Sequence, residues 1–241
     1  MPPITRHHPT ATRVEEIATS YGPARTHHFE VPYGVPRASL ILGHGAGAGP
    51  RAPDLSVLAA GLPAFGIEVV LAEQPWHVAG RPVAAHRNEL DAAWIEIVSA
   101  LRRSGVGLRR LAVGGRSSGA RVACRTVEST KPAAVLCLAF PLSPGGQRPD
   151  RGAELAAAAA YAPTTVIQGT RDRFGGPPDV AAVVAAHGQR LLTVAVPFCD
   201  HSFHLAATAT ITDAEARMVI VEVARRAVLR SSGNSGPLLE R

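Results

Sequence analysis

One pentapeptide, Gly115-Arg-Ser-Ser-Gly119, constrains this chain more than any other stretch. It joins an apolar run, Leu111 to Gly114, to a helical pattern in which Ala120, Ala123, Cys124 and Val127 recur at i, i+3, i+4 and i+7. The spacing is G-x-S-x-G. A serine thrown out on a sharp turn from strand to helix sits in strained backbone, and flanking glycines let the two elements approach. Ser117 is therefore the candidate nucleophile. In a chain with 23 glycines such a pattern needs supporting context.

The context is an alternation of buried strands and helices. Val14 to Ser20 and Thr26 to Val31 read as a hairpin at a sheet edge, bounded by Tyr21-Gly-Pro23 and Pro32-Tyr-Gly34. Continuous apolar runs then follow at Ala38 to Leu42, Ile67 to Ala72, Leu111 to Gly114, Ala133 to Phe140, Thr164 to Gln168 and Leu191 to Val196. Helical periodicity fills the intervals: Asp54 to Phe65, Ala84 to Arg103, the segment after Ser117, the Ala156 to Ala160 run, and Asp179 to His187. A closing helix to about Leu229 starts at a capping box, Thr212-Asp-Ala-Glu215. Strands without polar alternation, separated by helices, predict a mostly parallel sheet covered on both faces. No repeat or second composition regime interrupts residues 1–230, which read as one α/β domain, and the polar tail 231–241 reads as disordered.

In such sheets ligands bind beyond the carboxyl ends of the strands, so partners for Ser117 belong there. Gln168-Gly-Thr-Arg-Asp172 puts Asp172 just past one strand, and Pro197-Phe-Cys-Asp-His201 puts His201 just past the next. An acid and a base in the order Ser, Asp, His complete a nucleophile's requirements. Gly43-His-Gly-Ala-Gly-Ala-Gly49, after an earlier strand, offers backbone N–H groups for an oxyanion. Ala46 is the expected donor there, with Ser118 at the start of the nucleophile's helix as the second.

With these residues in view the chain resembles the α/β-hydrolase superfamily. It is similar in particular to small dienelactone-hydrolase-like proteins grouped with testis-expressed and chromatin-complex hydrolase-like proteins. The resemblance rests on Leu42-Gly-His-Gly-Ala-Gly-Ala48, Glu73-Gln-Pro-Trp76 with Val78-Ala-Gly-Arg81, Gly114 to Arg121, Phe140-Pro-Leu142, Gln168 to Asp172 and Asp200-His-Ser-Phe203. It implies the α/β-hydrolase fold and the triad Ser117, Asp172 and His201. Dienelactone hydrolases typically carry cysteine where this chain has Ser117, so the expected chemistry is cleavage of an ester or thioester. Trp76 and Phe140 are the expected substrate-binding residues. Phe140 and Thr164 are separated by 23 residues, too few for a large cap domain. The alternative expectation is an inactive scaffold on the same fold that binds a partner.

Each residue has a rival reading. The glycine loop also fits a relaxed dinucleotide fingerprint, but Pro50 and Pro53 postpone the helix that would receive a pyrophosphate. His44 reads as a loop brace, and Arg116 as an anchor for the turn. Glu73 is a second candidate acid and His204 a second candidate base. Cys124, Cys137 and Cys199 are odd in number and lack metal spacing, and the pairs His7-His8 and His27-His28 read as surface residues. The formal charge of +6 is carried almost wholly by scattered arginines, Lys131 being the sole lysine, which argues against a nucleic-acid patch. No apolar run is long enough to span a membrane, and no leader pattern precedes Val14, so a cytoplasmic protein is expected. Neither cofactor nor metal is expected; the partner is a small acyl substrate.

Overall fold

The apolar runs become strands, and in all but the last both faces are covered. The computed structural model describes residues 8–47, 49–143 and 151–230. Eight strands form one sheet: β1 (Arg13–Thr19), β2 (Gly22–Phe29), β3 (Ala38–Gly43), β4 (Ile67–Glu73), β5 (Leu111–Arg116), β6 (Ala134–Leu138), β7 (Thr164–Gly169) and β8 (Leu192–Val196). Their spatial order is β1-β2-β4-β3-β5-β6-β7-β8. The β1–β2 hairpin joins antiparallel at one edge, and the six strands from β3 to β8 run parallel. The expected mostly parallel α/β sheet is therefore what forms.

Helices α1 (Pro53–Gly61), α2 (Pro75–Val78), α3 (Arg87–Arg103), α4 (Ser118–Arg125), α5 (Val127–Thr130), α6 (Gly152–Tyr161), α7 (Pro177–Ala186) and α8 (Asp213–Leu229) connect and flank the strands. The pleat divides the apolar residues between the two faces. Ile41, Val113, Val135 and Val166 join a core with α3, α4, α6 and α7, among which Trp94, Leu101 and Leu155 are fully enclosed. Leu40, Leu42, Leu136 and Ile167 point the other way, to Leu55, Leu58, Ile220 and Val228 on α1 and α8. Each fully buried side chain of this kind contributes about 1.5–3 kcal/mol relative to exposure.

Element ends follow local chemistry. Helix α1 stops at Gly61 and gives way to a short 3-10 turn, Pro63–Phe65, so the predicted helix to Phe65 breaks where Pro63 lacks an N–H. Helix α3 starts at Arg87 rather than Ala84, because the His86 side chain accepts from the Asn88 N–H and caps it. The Thr126 hydroxyl bonds back to the Val122 carbonyl and parts α4 from α5. The Thr212–Glu215 box forms in both directions, at 2.7 and 3.2 Å. The expected tail 231–241 and most of the loop before α6 lie outside the described residues.

One expectation for the edge hairpin fails. His27 is half-buried and His28 is completely enclosed, neither being a free surface residue. The β2–β4 pairing turns His28 inward, where it meets Thr26 at 3.2 Å and faces Glu68, itself bonded by the Ser39 hydroxyl at 2.8 Å.

The closest backbone approach in the sheet generates a prediction. A Cβ on Gly114 would lie 2.0 Å from the Leu136 carbonyl oxygen of the neighbouring strand, whereas a Cβ on Gly47 would meet nothing within 4 Å. Gly114→Ala is expected to lower stability by about 3 kcal/mol, a fall of roughly 6–12 °C in melting temperature, and Gly47→Ala to leave it within ~2 °C. Thermal unfolding of the two variants checks the contrast.

Candidate active site

Strand β5 ends at Arg116 and α4 begins at Ser118, so Ser117 alone makes the turn, at φ 52° and ψ −111°. A non-glycine residue held there is strained by roughly 1–3 kcal/mol and persists only where its surroundings enforce it. The enforcement is steric. A Cβ on Gly115 would lie 2.6 Å from the Gly43 oxygen, and one on Gly119 2.4 Å from the same atom. The two outer glycines of G-x-S-x-G therefore let the turn rest on the backbone at the end of β3. The Ser117 N–H donates to the Leu138 carbonyl at 2.9 Å, and its side chain projects from the turn, half-buried.

The ends of β7 and β8 bring the candidate acid and base to it. His201 Nε2 lies 3.1 Å from the Ser117 Oγ, and His201 Nδ1 lies 2.7 Å from Asp172 Oδ2. Facing a carboxylate, Nδ1 carries the hydrogen and leaves Nε2 to accept from the serine hydroxyl. Asp172 is buried and meets two further donors: Gln168 Nε2 to Oδ2 at 2.9 Å and the Phe174 N–H to Oδ1 at 2.8 Å. Phe174 also packs its ring edge-on against His201, with centroids 4.6 Å apart.

Two residues that sequence reasoning left without a role hold this arrangement. Gln168 is fully enclosed at the end of β7; besides Asp172 it donates to Phe140 O and Gly175 O, and its Oε1 accepts from Phe140 N. The signal was a polar side chain closing an apolar strand. A Cβ on Gly169 would lie 2.4 Å from the Cys199 carbonyl and 2.7 Å from that of Asp200, so this glycine lets the His201 loop lie against the Asp172 loop. The Arg171 N–H completes that seam by donating to Cys199 O at 2.9 Å.

The glycine loop after β3 lies on the other side of Ser117. A Cβ on Gly45 would approach the Ser117 Cβ to 3.5 Å, and Ala46 follows it at the surface. Among the described residues the N–H groups of Ala46 and Ser118 have no hydrogen-bond acceptor. His44 braces the loop: Nδ1 donates to the Gly45 carbonyl at 2.8 Å, and Nε2 accepts from the Gln74 N–H at 3.1 Å. Burial pushes the His44 imidazole down to about 4, so the brace is neutral near pH 7.

The two expected substrate-binding aromatics are placed differently from each other. Phe140 is completely buried in the core, whereas Trp76, 4% exposed, lines a small cleft with His44 and Ser118. Phe140 is drawn inward by the Gln168 clasp on its backbone, and Trp76 packs against His44 and His77. Rival candidates also sort themselves out. His204 is turned to solvent beside Asp200. Burial pushes the Cys199 thiol up to about 11, leaving it protonated near neutrality. Glu73 is committed to His77 at 2.7 Å and to His27 and Arg25 at 3.3 and 3.4 Å. Among the described residues no group of three or more His, Cys, Asp and Glu side chains is placed to hold a metal ion, and no helix is long and apolar enough to cross a membrane.

Residues 36–228 match the family model described as an alpha/beta hydrolase domain. No curated protein matches. Among solved structures, the chain is similar to XC6422 from Xanthomonas campestris, a serine hydrolase without a lid, with a TM-score of 0.68 and 20% identity over 92% of this chain and 98% of that one. It is similar to the dienelactone hydrolase from Anabaena variabilis at a TM-score of 0.66 and 16% identity, over 92% and 97%. Est1E from Butyrivibrio proteoclasticus matches at 0.65 and 11%, over 90% and 99%. At these identities the likeness is one of fold.

Glu73 supplies a pH prediction. Burial pushes its carboxyl up, but hydrogen bonds from His27 and His77 outweigh that and hold it at about 2, against 4.5 for a free side chain. A carboxyl depressed in the folded state adds stability above its unfolded value and loses it as pH falls through the folded one. The stability difference between the native chain and Glu73→Gln is expected to be constant above roughly pH 5 and to shrink from there towards pH 2. Urea denaturation across that range measures it; a difference independent of pH would contradict the assignment.

Proposed function

The chain belongs to the alpha/beta hydrolase domain family, and on that footing we propose that it is a serine hydrolase cleaving a carboxylic ester or thioester through an acyl-enzyme on Ser117. The observation that carries this reading is the unbroken chain from Ser117 Oγ through His201 to Asp172, at 3.1 and 2.7 Å, starting from a strained serine. In the proposed reaction His201 Nε2 takes the hydroxyl proton as Oγ attacks the carbonyl carbon. Asp172 keeps the imidazole in its Nδ1–H tautomer and stabilises the imidazolium.

Negative charge then develops on the carbonyl oxygen. The N–H groups of Ala46 and Ser118 receive it, each worth about 3 kcal/mol of barrier in such a site. His201 returns its proton to the departing alkoxide or thiolate. It next takes a proton from a water that attacks the acyl carbon and, as the C–Oγ bond breaks, returns that proton to Oγ, releasing the carboxylic acid and restoring Ser117. Every step uses groups of the protein and water, so the reading requires no cofactor. The glutamine, glycine and phenylalanine around Asp172 and His201 support the reading because they fix two loops that an interaction scaffold would have no reason to align.

Hydrolysis of short p-nitrophenyl esters and labelling by a fluorophosphonate test the proposal. Ser117→Ala is expected to abolish labelling and to lower turnover by about 10⁴-fold or more, and Asp172→Asn to cost about 10⁴ in kcat. Equal labelling of Ser117→Ala and the native chain would remove Ser117 from the mechanism. No turnover of any short ester or thioester would favour the scaffold.

A further inference from the structure

Arg116, the residue before the nucleophile, contributes more than the last position of a strand. Its side chain is nearly enclosed, and its guanidinium reaches three other segments of the chain. Nε lies 3.2 Å from Oδ2 of Asp54, the second residue of α1, whose carboxylate is entirely buried. Nη2 donates to the backbone carbonyl of His201 and to the Ser202 hydroxyl, both at 3.1 Å. A Cβ on Gly45 would lie 2.8 Å from Nη1, so the glycine of the candidate oxyanion loop leaves room for the arginine beneath it. One planar group thus touches the loops that carry the base and the oxyanion donors, and its own backbone leads directly into Ser117.

We infer that Arg116 is a positioning residue for the reaction proposed above, setting the His201 loop and the Gly45 loop at a fixed angle to the nucleophile, with Asp54 as its anchor. The inference rests on reading Ser117 and His201 as nucleophile and base. Its physical ground is the rigidity of the guanidinium, whose nitrogens lie in one plane at fixed separations; the helix and the loop bound to it, and the glycine loop packed on it, cannot shift independently. A lysine reaches one acceptor as a point charge and leaves the others free. Asp54 serves this purpose rather than general packing. Its carboxylate has no well-aligned hydrogen bond among the described residues, and its ion-pair partner is Arg116. The His201 loop is tied to the Asp172 loop, through the Arg171 N–H to Cys199 O at 2.9 Å and the Phe198 N–H to Thr170 Oγ1 at 3.0 Å, and to itself through Asp200, which accepts from the Ser202 and His204 N–H groups at 2.7 and 2.9 Å. Those bonds shape the loop and join it to Asp172; Arg116 adds a link to the strand that leads into the serine.

The test separates positioning from stability. Arg116→Met leaves a buried carboxylate alone and is expected to unfold at lower temperature, while Arg116→Met with Asp54→Leu removes both charges and is expected to recover much of the loss. Turnover should not recover. In the double variant kcat on a short p-nitrophenyl ester is expected to stay about 100-fold down with KM changed less than about threefold, because misplacement of reacting groups by about 1 Å costs that much without touching substrate binding. Arg116→Lys should fold and fall in between. Return of kcat together with thermal stability in the double variant, or an Arg116→Lys enzyme within twofold of native, would overturn the inference. Hydrogen exchange at the Ser202, Phe203 and His204 amides reads the clamp without any substrate. Faster exchange in the double variant at matched global stability supports it, and unchanged exchange overturns it. A native chain that turns over no ester but shows this change in exchange refutes the serine hydrolase reading and leaves the clamp standing.

Discussion

The structure depends on a contact between two backbones. Gly115 and Gly119 bring the turn around Ser117 down onto the Gly43 carbonyl, at separations where any side chain would collide. Because strand and helix meet so closely, the single residue between them is pushed to a positive φ and its side chain is driven outward at the carboxyl end of the sheet. The strain there is held by the sheet on both sides: β3 and β6 flank β5, and Leu138 O takes the Ser117 N–H. A second approach of the same kind, Gly169 against the Cys199 and Asp200 carbonyls, brings the Asp172 and His201 loops together. Two sets of glycines thus set the geometry in which three polar side chains meet.

Carboxylate and histidine pairs recur in this molecule, and their surroundings distinguish them. Glu73 with His77, Glu68 with His28 and Asp172 with His201 are each within 3.6 Å. The first is saturated by His27 and Arg25 as well, and the second is enclosed beside Ser39 where the edge hairpin meets β4. In the third, the far nitrogen of the imidazole points at a hydroxyl on a half-exposed turn. Chemistry follows from which nitrogen is left free and what it faces.

Much of this was legible in the sequence, for identifiable reasons. Strands β3 to β7 announce themselves because burial on both faces leaves no polar alternation, and the spacing of Ser117, Asp172 and His201 survives folding because each stands just beyond a strand end. What failed depended on contacts between distant segments. Phe140 looked like a pocket wall from its place after β6, but Gln168, 28 residues on, clasps its backbone and the ring goes inward. His28 looked exposed in a polar hairpin, but the pairing of β2 with β4 encloses it. Arg116 was legible only as an anchor; that its fork reaches His201 O, 85 residues away, is a property of the assembled sheet.

The central claim is that Ser117 takes an acyl group from its substrate. Rapid acid quench of the enzyme during turnover of p-nitrophenyl acetate, followed by peptide mass spectrometry, addresses it directly. One acetyl group is expected on the peptide containing Ser117, present during turnover and gone once substrate is exhausted. Turnover with that peptide unmodified throughout, or acetyl found on another residue, would contradict it.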